Sequence, residues 1–275
     1  MALQVASLNS GSNGNCYYVG NAEEAVLVDA GLSLRETEKR MKLLGLDLKK
    51  VRGIFVSHEH SDHIKGLANV AHKYQIPIYI TEKTAAAGIR MIRHLSVFFT
   101  SDETIQVGNL SIKTFDKFHD AVDGHSFTIS YNNITVGVFT DLGKVCDKLI
   151  HHFKQCNAAF LESNYDEEML AKGKYPPILK KRITGGEGHL SNKEAALLFK
   201  EHKPPFMSHL FLAHLSKENN THELALNEFL PYANGTLVSV ASRYNATEVY
   251  EITHDGSERK PSMLYNKKPN QLKLF

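Results

Sequence analysis

The sequence has few cysteines and no long apolar segment. No apolar run approaches the ~20 residues that a membrane-spanning helix needs, and the first residues lack the basic-then-apolar pattern of a secretory signal. The three cysteines, Cys16, Cys146 and Cys156, are odd in number and share no metal-ligand spacing, which suits a reducing compartment. These absences predict a cytoplasmic protein without a membrane span.

The sequence also lacks a strong charge of either sign. Lys and Arg number 32 against 30 Asp and Glu, so bulk charge does not by itself indicate a nucleic-acid binder. Hydrophobic content of 42% and charged content of 23% are near the averages for globular proteins, which excludes the disordered and collagen-like classes. Histidine is unusually frequent for its type, with 15 residues.

Short strand patterns alternate with helical patterns along most of the chain. The first third predicts, in order, strands at Leu3–Leu8, Cys16–Val19 and Ala25–Asp29, a helix at Leu32–Leu44 capped by Ser33 and closed by Gly45, a strand at Gly53–Ser57, a helix at Ile64–Tyr74, a strand at Ile76–Ile80 and a helix at Glu82–Arg93. Four consecutive strands follow between Thr104 and Thr140, and the alternation resumes to about Thr253. This order predicts an α/β four-layer αββα sandwich, with one domain over residues 1–260 and a basic tail over 261–275.

Four side chains that commonly bind metals follow the short apolar strand ending near Ser57. Side chains alternate along extended chain, so His58 and His60 point to one side and can hold one ion together. Asp62 and His63 come next, where the chain turns into a helix, and can face a second point nearby. Imidazole and carboxylate together suit zinc, manganese or iron(II) rather than calcium.

The segment His58–His63 resembles the HxHxDH motif of the metallo-β-lactamase superfamily. The resemblance implies a third histidine in mid-chain, matched by His119 with His125 as the alternative, then a bridging Asp141 and a late His214. It implies two divalent metal ions. Their implied ligands are His58, His60 and His119 for one ion, Asp62, His63 and His214 for the other, and Asp141 between them.

Further motifs narrow the resemblance within the superfamily. Aspartate rather than cysteine at the bridging position is similar to the phosphodiesterase and nuclease branches, which weighs against β-lactam hydrolysis. The segments LESNY and GHLSN resemble motifs of ribonuclease Z, and together with SGSNGN they make the chain most similar to the YycJ/WalJ group of bacterial metallohydrolases. This similarity implies that Glu162 orients His189 as a proton donor and that Asp62 belongs to the catalytic set. A helix-capping role is the alternative for His189.

Three segments outside the metal ligands are candidates for binding other molecules. Lys180, Lys181 and Arg182 could contact phosphates, or could be the solvated face of a helix. Ser10, Ser12 and Asn15 in the glycine-rich loop could also contact a phosphate, or could only form a turn. The last residues resemble the QLxLF motif by which bacterial proteins dock on the sliding clamp, through Gln271, Leu272, Leu274 and Phe275. A tail that packs on its own domain is the alternative.

Together these features predict a dinuclear metal-dependent phosphodiesterase, with DNA favoured as substrate and a metal-bridging hydroxide as nucleophile. An exonuclease is the preferred form. A hydrolase of RNA or of a small cyclic phosphodiester is the first alternative, because the same ligands serve all three substrates. A metal-stabilised binding protein that has lost its chemistry is the alternative from another class.

Overall fold

Two seven-stranded mixed sheets form the centre of the protein. The structure, a computed structural model, describes residues 2–88 and 93–254. The first sheet has the spatial order β14 (Tyr250–Ile252), β1 (Leu3–Asn9), β2 (Cys16–Gly20), β3 (Ala25–Val28), β4 (Val51–Phe55), β5 (Ile78–Ile80) and β6 (Ser96–Phe98). The second has the order β13 (Leu237–Val240), β12 (His209–Ala213), β11 (Ala158–Glu162), β10 (Ile134–Phe139), β9 (His125–Tyr131), β8 (Leu110–Asp116) and β7 (Thr104–Val107).

Helices cover the outer face of each sheet. In chain order they are α1 (Leu34–Leu43), α2 (Ser61–Ile64), α3 (Leu67–Tyr74), α4 (Glu82–Gly88), α5 (Asp147–Phe153), α6 (Glu167–Lys172), α7 (Pro177–Thr184), α8 (Asn192–His202) and α9 (His222–Phe229). Short 3₁₀ turns lie at Leu48–Lys50, Arg93–Leu95 and Leu230–Tyr232. Within the described ranges, no helix is both long and apolar enough to cross a membrane.

Three buried apolar clusters separate the four layers. The central cluster lies between the sheets and is rich in aromatic side chains, with Phe55 stacked on Tyr79 at 4.4 Å between ring centroids and Phe160 on Phe211 at 4.7 Å. The other two pack the helices onto the sheets, and include Met41 and Val70 on the first side and Phe199 on the second. The predicted α/β four-layer sandwich is confirmed.

The strand directions bring several loops to one edge of the sandwich. β3, β4 and β5 run parallel in the first sheet, and β10, β11 and β12 run parallel in the second. The carboxyl ends of parallel strands lie on the same side of a sheet, where α/β proteins form their sites. The loops that follow β3, β4, β10, β11 and β12 carry most of the site residues that the sequence predicts.

Two predictions about elements need correction, and one strand was not predicted. The predicted helix Ile64–Tyr74 is two helices, α2 and α3, separated at Gly66. The predicted helix Glu82–Arg93 ends at Gly88, and residues 89–92 lie outside the described ranges. Strand β6 does not follow from the sequence, because two of its three residues are exposed and its pattern is too short to distinguish from a loop.

The break at Gly66 has a steric cause. A Cβ atom at Gly66 would lie 1.7 Å from the carbonyl oxygen of Leu32, and the Gly66 amide donates to the carbonyl of Ala30 at 2.8 Å. Both partners are backbone atoms of the loop after β3, which is adjacent to the predicted metal ligands. The chain therefore needs glycine here to hold α2 against that loop.

We expect Gly66→Ala to lower the free energy of unfolding by about 3 kcal/mol, because backbone must move to admit the methyl group. Gly45→Ala is the control. Gly45 has a positive φ of 70°, but no atom lies within 4 Å of the position that a Cβ would occupy. That variant therefore bears only conformational strain of about 1 kcal/mol. Urea unfolding of both variants measures the difference, and equal losses would contradict the steric explanation.

Candidate metal centre

The loop after β4 carries four of the predicted ligands, and backbone hydrogen bonds hold it in place. The amide of Asn15 donates to the carbonyl of Asp62 at 2.7 Å, and the amide of Ala30 donates to the carbonyl of His63 at 2.8 Å. The loops after β1 and β3 therefore fix the backbone of this segment before any metal binds. Such support reduces the entropy that would be lost on forming the site.

The seven predicted ligands converge into two adjoining groups. Donor atoms of His58, His60 and His119 lie within 4.8 Å of one another, and so do those of Asp62, His63 and His214. Asp141 lies between the groups: its carboxylate is 3.3 Å from His63 Nε2, 3.5 Å from His214 Nε2 and 3.9 Å from His119 Nε2. The carboxylate of Asp141 thus lies between the two ligand groups.

Hydrogen bonds on the outer side of three imidazoles fix which nitrogen faces the centre. His63 Nδ1 is 2.7 Å from Asp29 Oδ2, His119 Nδ1 is 3.0 Å from the carbonyl of Gly188, and His214 Nδ1 is 3.1 Å from Glu162 Oε1. Each of these acceptors keeps the proton on Nδ1, so Nε2 presents a lone pair to the centre. Histidines that bind metals in proteins are commonly held in this way.

Several buried polar atoms at the centre lack partners among the described residues. His119 Nε2, His214 Nε2 and Asp141 Oδ2 are buried and make no hydrogen bond. Buried polar atoms are usually satisfied, and leaving one without a partner costs about 1–3 kcal/mol. These are atom types that bind metals, and they lie close together without partners. Such an arrangement is suited to divalent cations. The side chains present therefore suit a metal centre.

The buried carboxylates at the centre need positive charge beside them. Burial alone would raise the pKa of Asp141, but the neighbouring His214 and His63 hold it well below its ordinary value. Burial opposes protonation of His63, yet the charges of Asp141 and Asp29 raise its pKa to about 10. When no metal is bound, the carboxylates therefore keep the neighbouring imidazoles protonated. A divalent ion would replace those protons.

Glu162 and His189 form a pair beside the two groups. Glu162 Oε1 lies 2.7 Å from His189 Nδ1, while its Oε2 accepts from the amide of Leu142 at 2.6 Å and from that of Leu190 at 3.3 Å. Burial acts to raise the pKa of Glu162, but His189 and His214 lower it to about 2. The carboxylate stays ionised and holds both imidazoles by their Nδ1 atoms. His189 is the more accessible of the two, with 22% of its side chain exposed.

Asp29 and Lys117 are site residues that the sequence motifs do not include. Asp29 accepts from both the amide and the hydroxyl of Ser57 at 2.8 Å, in addition to its contact with His63. Lys117 is buried, and its ammonium donates to the carbonyl of Thr140 at 2.7 Å, next to Asp141. Asp29 directly follows a parallel strand, and this position could have identified it as a site residue from the sequence. No sequence pattern identifies Lys117 as a site residue, because lysines are rarely buried and its burial is not expected.

Asp29, Asp141 and His214 share an uncommon backbone conformation. Their φ angles are 61°, 55° and 56°, in the left-handed region that non-glycine residues seldom adopt. Each lies at or just beyond the carboxyl end of a strand, β3, β10 or β12 respectively. Such conformations cost of order 1–3 kcal/mol and cluster at functional sites. Here they turn three side chains toward the metal centre at the point where the strand ends.

The other predicted residues are distributed around the centre. Asn15 is fully buried, and its Nδ2 lies 3.0 Å from His63 Nε2 and 3.2 Å from Asp62 Oδ2. Ser12 is exposed, whereas Ser10 accepts from the amide of His214 at 2.7 Å. His125, the alternative to His119, is on β9 with its ring against Phe99 and is in neither ligand group.

The predicted phosphate-binding residues lie on α7. Lys180 donates to the carbonyl of Ala171 at 2.6 Å, Lys181 is exposed, and Arg182 pairs with Asp120, whose carboxylate is 3.5 Å from His119 Nε2. Arg182 thus lies at the rim of the metal centre. The predicted clamp-binding residues Gln271, Leu272, Leu274 and Phe275 lie outside the described residues.

A sequence model of the metallo-beta-lactamase superfamily matches residues 10–129, which include the HxHxDH segment and His119. The chain belongs to the metallo-β-lactamase superfamily and is a metal-dependent hydrolase. Within the superfamily it is similar to the YycJ/WalJ group. The resemblance drawn from the sequence motifs is confirmed.

Two relatives and one solved structure illustrate the similarity. The exodeoxyribonuclease YycJ of Bacillus anthracis is 37% identical over 268 residues, covering 96% of this chain and 99% of the relative. The exodeoxyribonuclease WalJ of Streptococcus pneumoniae (strain D39) is 33% identical, covering 82% and 86%. The crystal structure of the metallo-beta-lactamase fold protein YhfI from Bacillus subtilis has a TM-score of 0.70 at 18% identity, covering 90% and 99%, which supports the shared fold.

We expect Asp29→Asn to weaken divalent-metal binding about 10- to 100-fold, because the amide no longer holds His63 with Nε2 toward the centre. Glu24→Gln is the matched control: Glu24 is also a buried carboxylate, but it contacts the amide of Asn109 far along the chain. Competition with a metal-binding dye measures both affinities. Unchanged affinity in Asp29→Asn would show that Asp29 has only a structural role.

Metal removal should also lower thermal stability. A ligand that binds only the folded state at a hundredfold excess over its Kd stabilises by about 2.7 kcal/mol, which corresponds to about 5–10 °C in Tm for a chain of this size. We expect chelator-treated protein to melt lower by this amount, and Zn²⁺ or Mn²⁺ to restore Tm. A Tm that is indifferent to both metals would contradict a metal centre formed by these residues.

Proposed function

We propose that the protein is a dinuclear metal-dependent phosphodiesterase that degrades DNA as an exonuclease. The observation that carries the proposal is the meeting of two ligand groups at Asp141 beside the Glu162–His189 pair. A shared carboxylate between two cation positions is the arrangement of two-metal phosphodiester hydrolysis. A carboxylate-held imidazole next to it supplies an acid for the leaving oxygen.

His58, His60 and His119 would hold one divalent ion, and Asp62, His63 and His214 the other, with Asp141 contacting both. When bound, the two ions supply an activated bridging water as nucleophile and neutralise charge on the phosphoryl oxygens. The donor set suits Zn²⁺, Mn²⁺ or Fe²⁺. Asp62 is half-buried, and His214 and His63 lower its pKa to about 2 against the opposing effect of burial. It therefore stays ionised and available as a ligand at neutral pH.

His189 would donate the proton to the departing hydroxyl group. Its Nδ1 faces Glu162 at 2.7 Å, which leaves Nε2 free, and its ring centroid is 5.1 Å from that of His214 and 5.4 Å from that of His119. Glu162 would act as a positioning residue, since all of its described contacts are to imidazoles and backbone amides. An ionised carboxylate behind the ring stabilises the protonated imidazole that must form before proton transfer.

Basic residues at the rim would hold the phosphates of the strand. Arg182 is 61% exposed and already lies beside Asp120 at the edge of the centre, and Lys181 is exposed on the same helix. Cationic contacts of this kind bind the sugar–phosphate backbone without reading its sequence. Ser12 and Asn15 complete the set inferred from the sequence. Since Asn15 is buried against His63, it would support a ligand rather than contact phosphate directly.

DNA is preferred as the substrate because the relatives that match most of this chain are exodeoxyribonucleases. RNA or a small cyclic phosphodiester is the second candidate, as the same ligand set would serve. The inactive alternative is disfavoured, since every ligand position is filled and the Glu162–His189 pair is intact. The tail could bring the enzyme to a sliding clamp through its QLKLF segment, which remains a prediction.

The substrate class is tested by incubating metal-loaded protein with DNA and RNA strands, each with and without a 5′-phosphate. We expect stepwise shortening of DNA, faster than of RNA, and none with the Asp141→Ala control, because that variant loses the carboxylate shared by both ions. Product lengths over time on a sequencing gel give the answer. Intact DNA with every metal would refute the nuclease assignment, and hydrolysis of a cyclic dinucleotide instead would favour the second candidate.

The proton donor is tested with His189→Gln, for which we expect kcat on DNA to fall about 100-fold or more at unchanged metal content. His202→Gln is the control, a partly exposed histidine at the end of α8. A p-nitrophenyl ester of thymidine 5′-monophosphate gives a further readout, because its leaving group needs no proton. The loss should be much smaller with this ester. A loss of equal size on both substrates would rule out proton donation by His189.

A further inference from the structure

Three loops meet beside the metal ligand His214, those that follow β1, β12 and β13. Strand β13 is parallel to β12, so the residues after both strands lie at the edge of the sheet that carries the metal centre. Ser10 joins the loops, because its amide donates to the carbonyl of Ser242 at 3.2 Å and its hydroxyl accepts from the amide of His214 at 2.7 Å. The loop after β13 is therefore part of the rim of the centre, and the mechanism above does not use it.

Arg243 lies in the loop after β13 and contacts the other two loops. Its Nη1 donates at 3.4 Å to the carbonyl of Leu215, the residue that follows His214. A Cβ atom at Gly11, in the glycine-rich loop after β1, would lie 3.2 Å from the Cβ of Arg243. Since consecutive Cα atoms are about 3.8 Å apart, these contacts place the guanidinium within about 15 Å of His214 Nε2. A few nucleotides of a strand span that distance, at about 3.4 Å or more for each.

A small cleft next to Arg243 favours an anion. Its walls also include Ser216, Lys217 and Thr221, and its volume of about 90 Å³ is about that of three water molecules, which suits a phosphate group. Of the described residues that line the cleft, Lys217 and Arg243 carry positive charge and none is a carboxylate. Lys217 pairs with Glu218 at 3.6 Å, but both side chains are exposed and such pairs contribute little. The positive charge of the cleft therefore remains available to a ligand.

Tyr244 has an exposed ring beside the same cleft. Its side chain is 59% exposed, and the guanidinium carbon of Arg243 lies 5.9 Å from the centre of the ring. The backbone of Tyr244 is well held, because its carbonyl accepts from Arg40 Nη2 at 2.9 Å and its amide donates to Ser242 Oγ at 3.0 Å. A firmly placed aromatic ring that is left in solvent is suited to contact with a flat partner.

A phosphate-sized cationic cleft beside an exposed ring matches the repeating unit of a single nucleic-acid strand. Proteins that bind single strands combine cations for the phosphates with aromatic rings on which the bases stack. Both contacts are available to every nucleotide, because each has a phosphate and a base with a flat face. A subsite of this kind suits an exonuclease, which must accept each base in turn.

We propose that Arg243 and Tyr244 form a nucleotide subsite on the His214 side of the metal centre. Arg243 binds a phosphate of single-stranded DNA, and Tyr244 stacks on the adjoining base. The inference rests on the proposed nuclease function and adds to it the residues that hold the strand. Arg182 lies on the other side, near His119, so a strand that contacts both arginines passes over both ligand groups.

The stacking contact is tested by binding of metal-loaded protein to a short fluorescent single strand of DNA with phosphorothioate linkages, which resist cleavage. Fluorescence anisotropy gives Kd. We expect Tyr244→Ala to raise Kd about tenfold, because a stacked base is lost, and Tyr244→Phe to bind like the wild type. On a strand made of abasic sites, Tyr244→Ala should also bind like the wild type, because no base is present to stack.

The phosphate contact is tested by the salt dependence of the same Kd. For a single strand, each phosphate contact contributes about 0.7 to the slope of log K against the logarithm of salt concentration. We expect Arg243→Gln to reduce the slope by about this amount, and Arg243→Lys to keep it, because the charge remains. Tyr244→Ala should leave the slope unchanged, since it removes no charge.

Phe206→Ala is the control for both contacts. Phe206 is 47% exposed, but it precedes β12 and so lies at the edge of the sheet opposite to the metal centre. Its Kd and its salt slope should equal those of the wild type. A loss in this variant as large as that in Tyr244→Ala would contradict a specific role of the rim.

The subsite and the nuclease assignment fail in different ways. An unchanged Kd in Tyr244→Ala, or an equal loss on the abasic strand, would overturn stacking, and an unchanged slope in Arg243→Gln would overturn the phosphate contact. If these variants bind like the wild type while DNA is shortened in the assay above, the nuclease assignment stands and the subsite is refuted. If they weaken binding as expected but no DNA is shortened, the strand-binding subsite stands and the nuclease assignment fails.

Discussion

The arrangement of this protein depends on the placement of four carboxylates, those of Asp29, Asp62, Asp141 and Glu162, at one edge of a closely packed sandwich. Buried negative charge is unfavourable unless cations lie beside it. Imidazoles surround these carboxylates, and the outer hydrogen bonds of His63 and His214 leave Nε2 directed inward. Protons or divalent ions must therefore occupy the centre. The same buried negative charge favours the binding of divalent metal ions.

The packed sandwich provides the rigidity that keeps these charged side chains close together. Parallel strands of both sheets end at the same edge, and three residues there, Asp29, Asp141 and His214, adopt left-handed backbone conformations. These conformations are costly, and the apolar clusters between and outside the sheets provide the stability that maintains them. The close approach of Gly66 to the backbone of Leu32 serves the same end, because it holds the ligand loop against the first sheet.

Much of the fold and of the centre could be predicted from sequence patterns, and the rest could not. Alternating strands and helices predicted the four layers, and the spacing of His58, His60, Asp62 and His63 indicated a metal site. The break at Gly66 was not predictable, because the atom that forbids a side chain is 34 residues away in the chain. The contacts of Asp29 and Lys117 were not predictable either, because their partners come from other strands.

The sequence by itself determined the periodic pattern that makes two sheets and their helices, and it placed ligand-type residues at the ends of strands. These are local properties, set by side-chain alternation and by the chemistry of each residue. Tertiary structure alone decided which nitrogen of His63, His119 and His214 faces the centre, and that Glu162 contacts both His189 and His214. Such relations depend on distances between residues remote in the chain, which only the packing of the two sheets brings together.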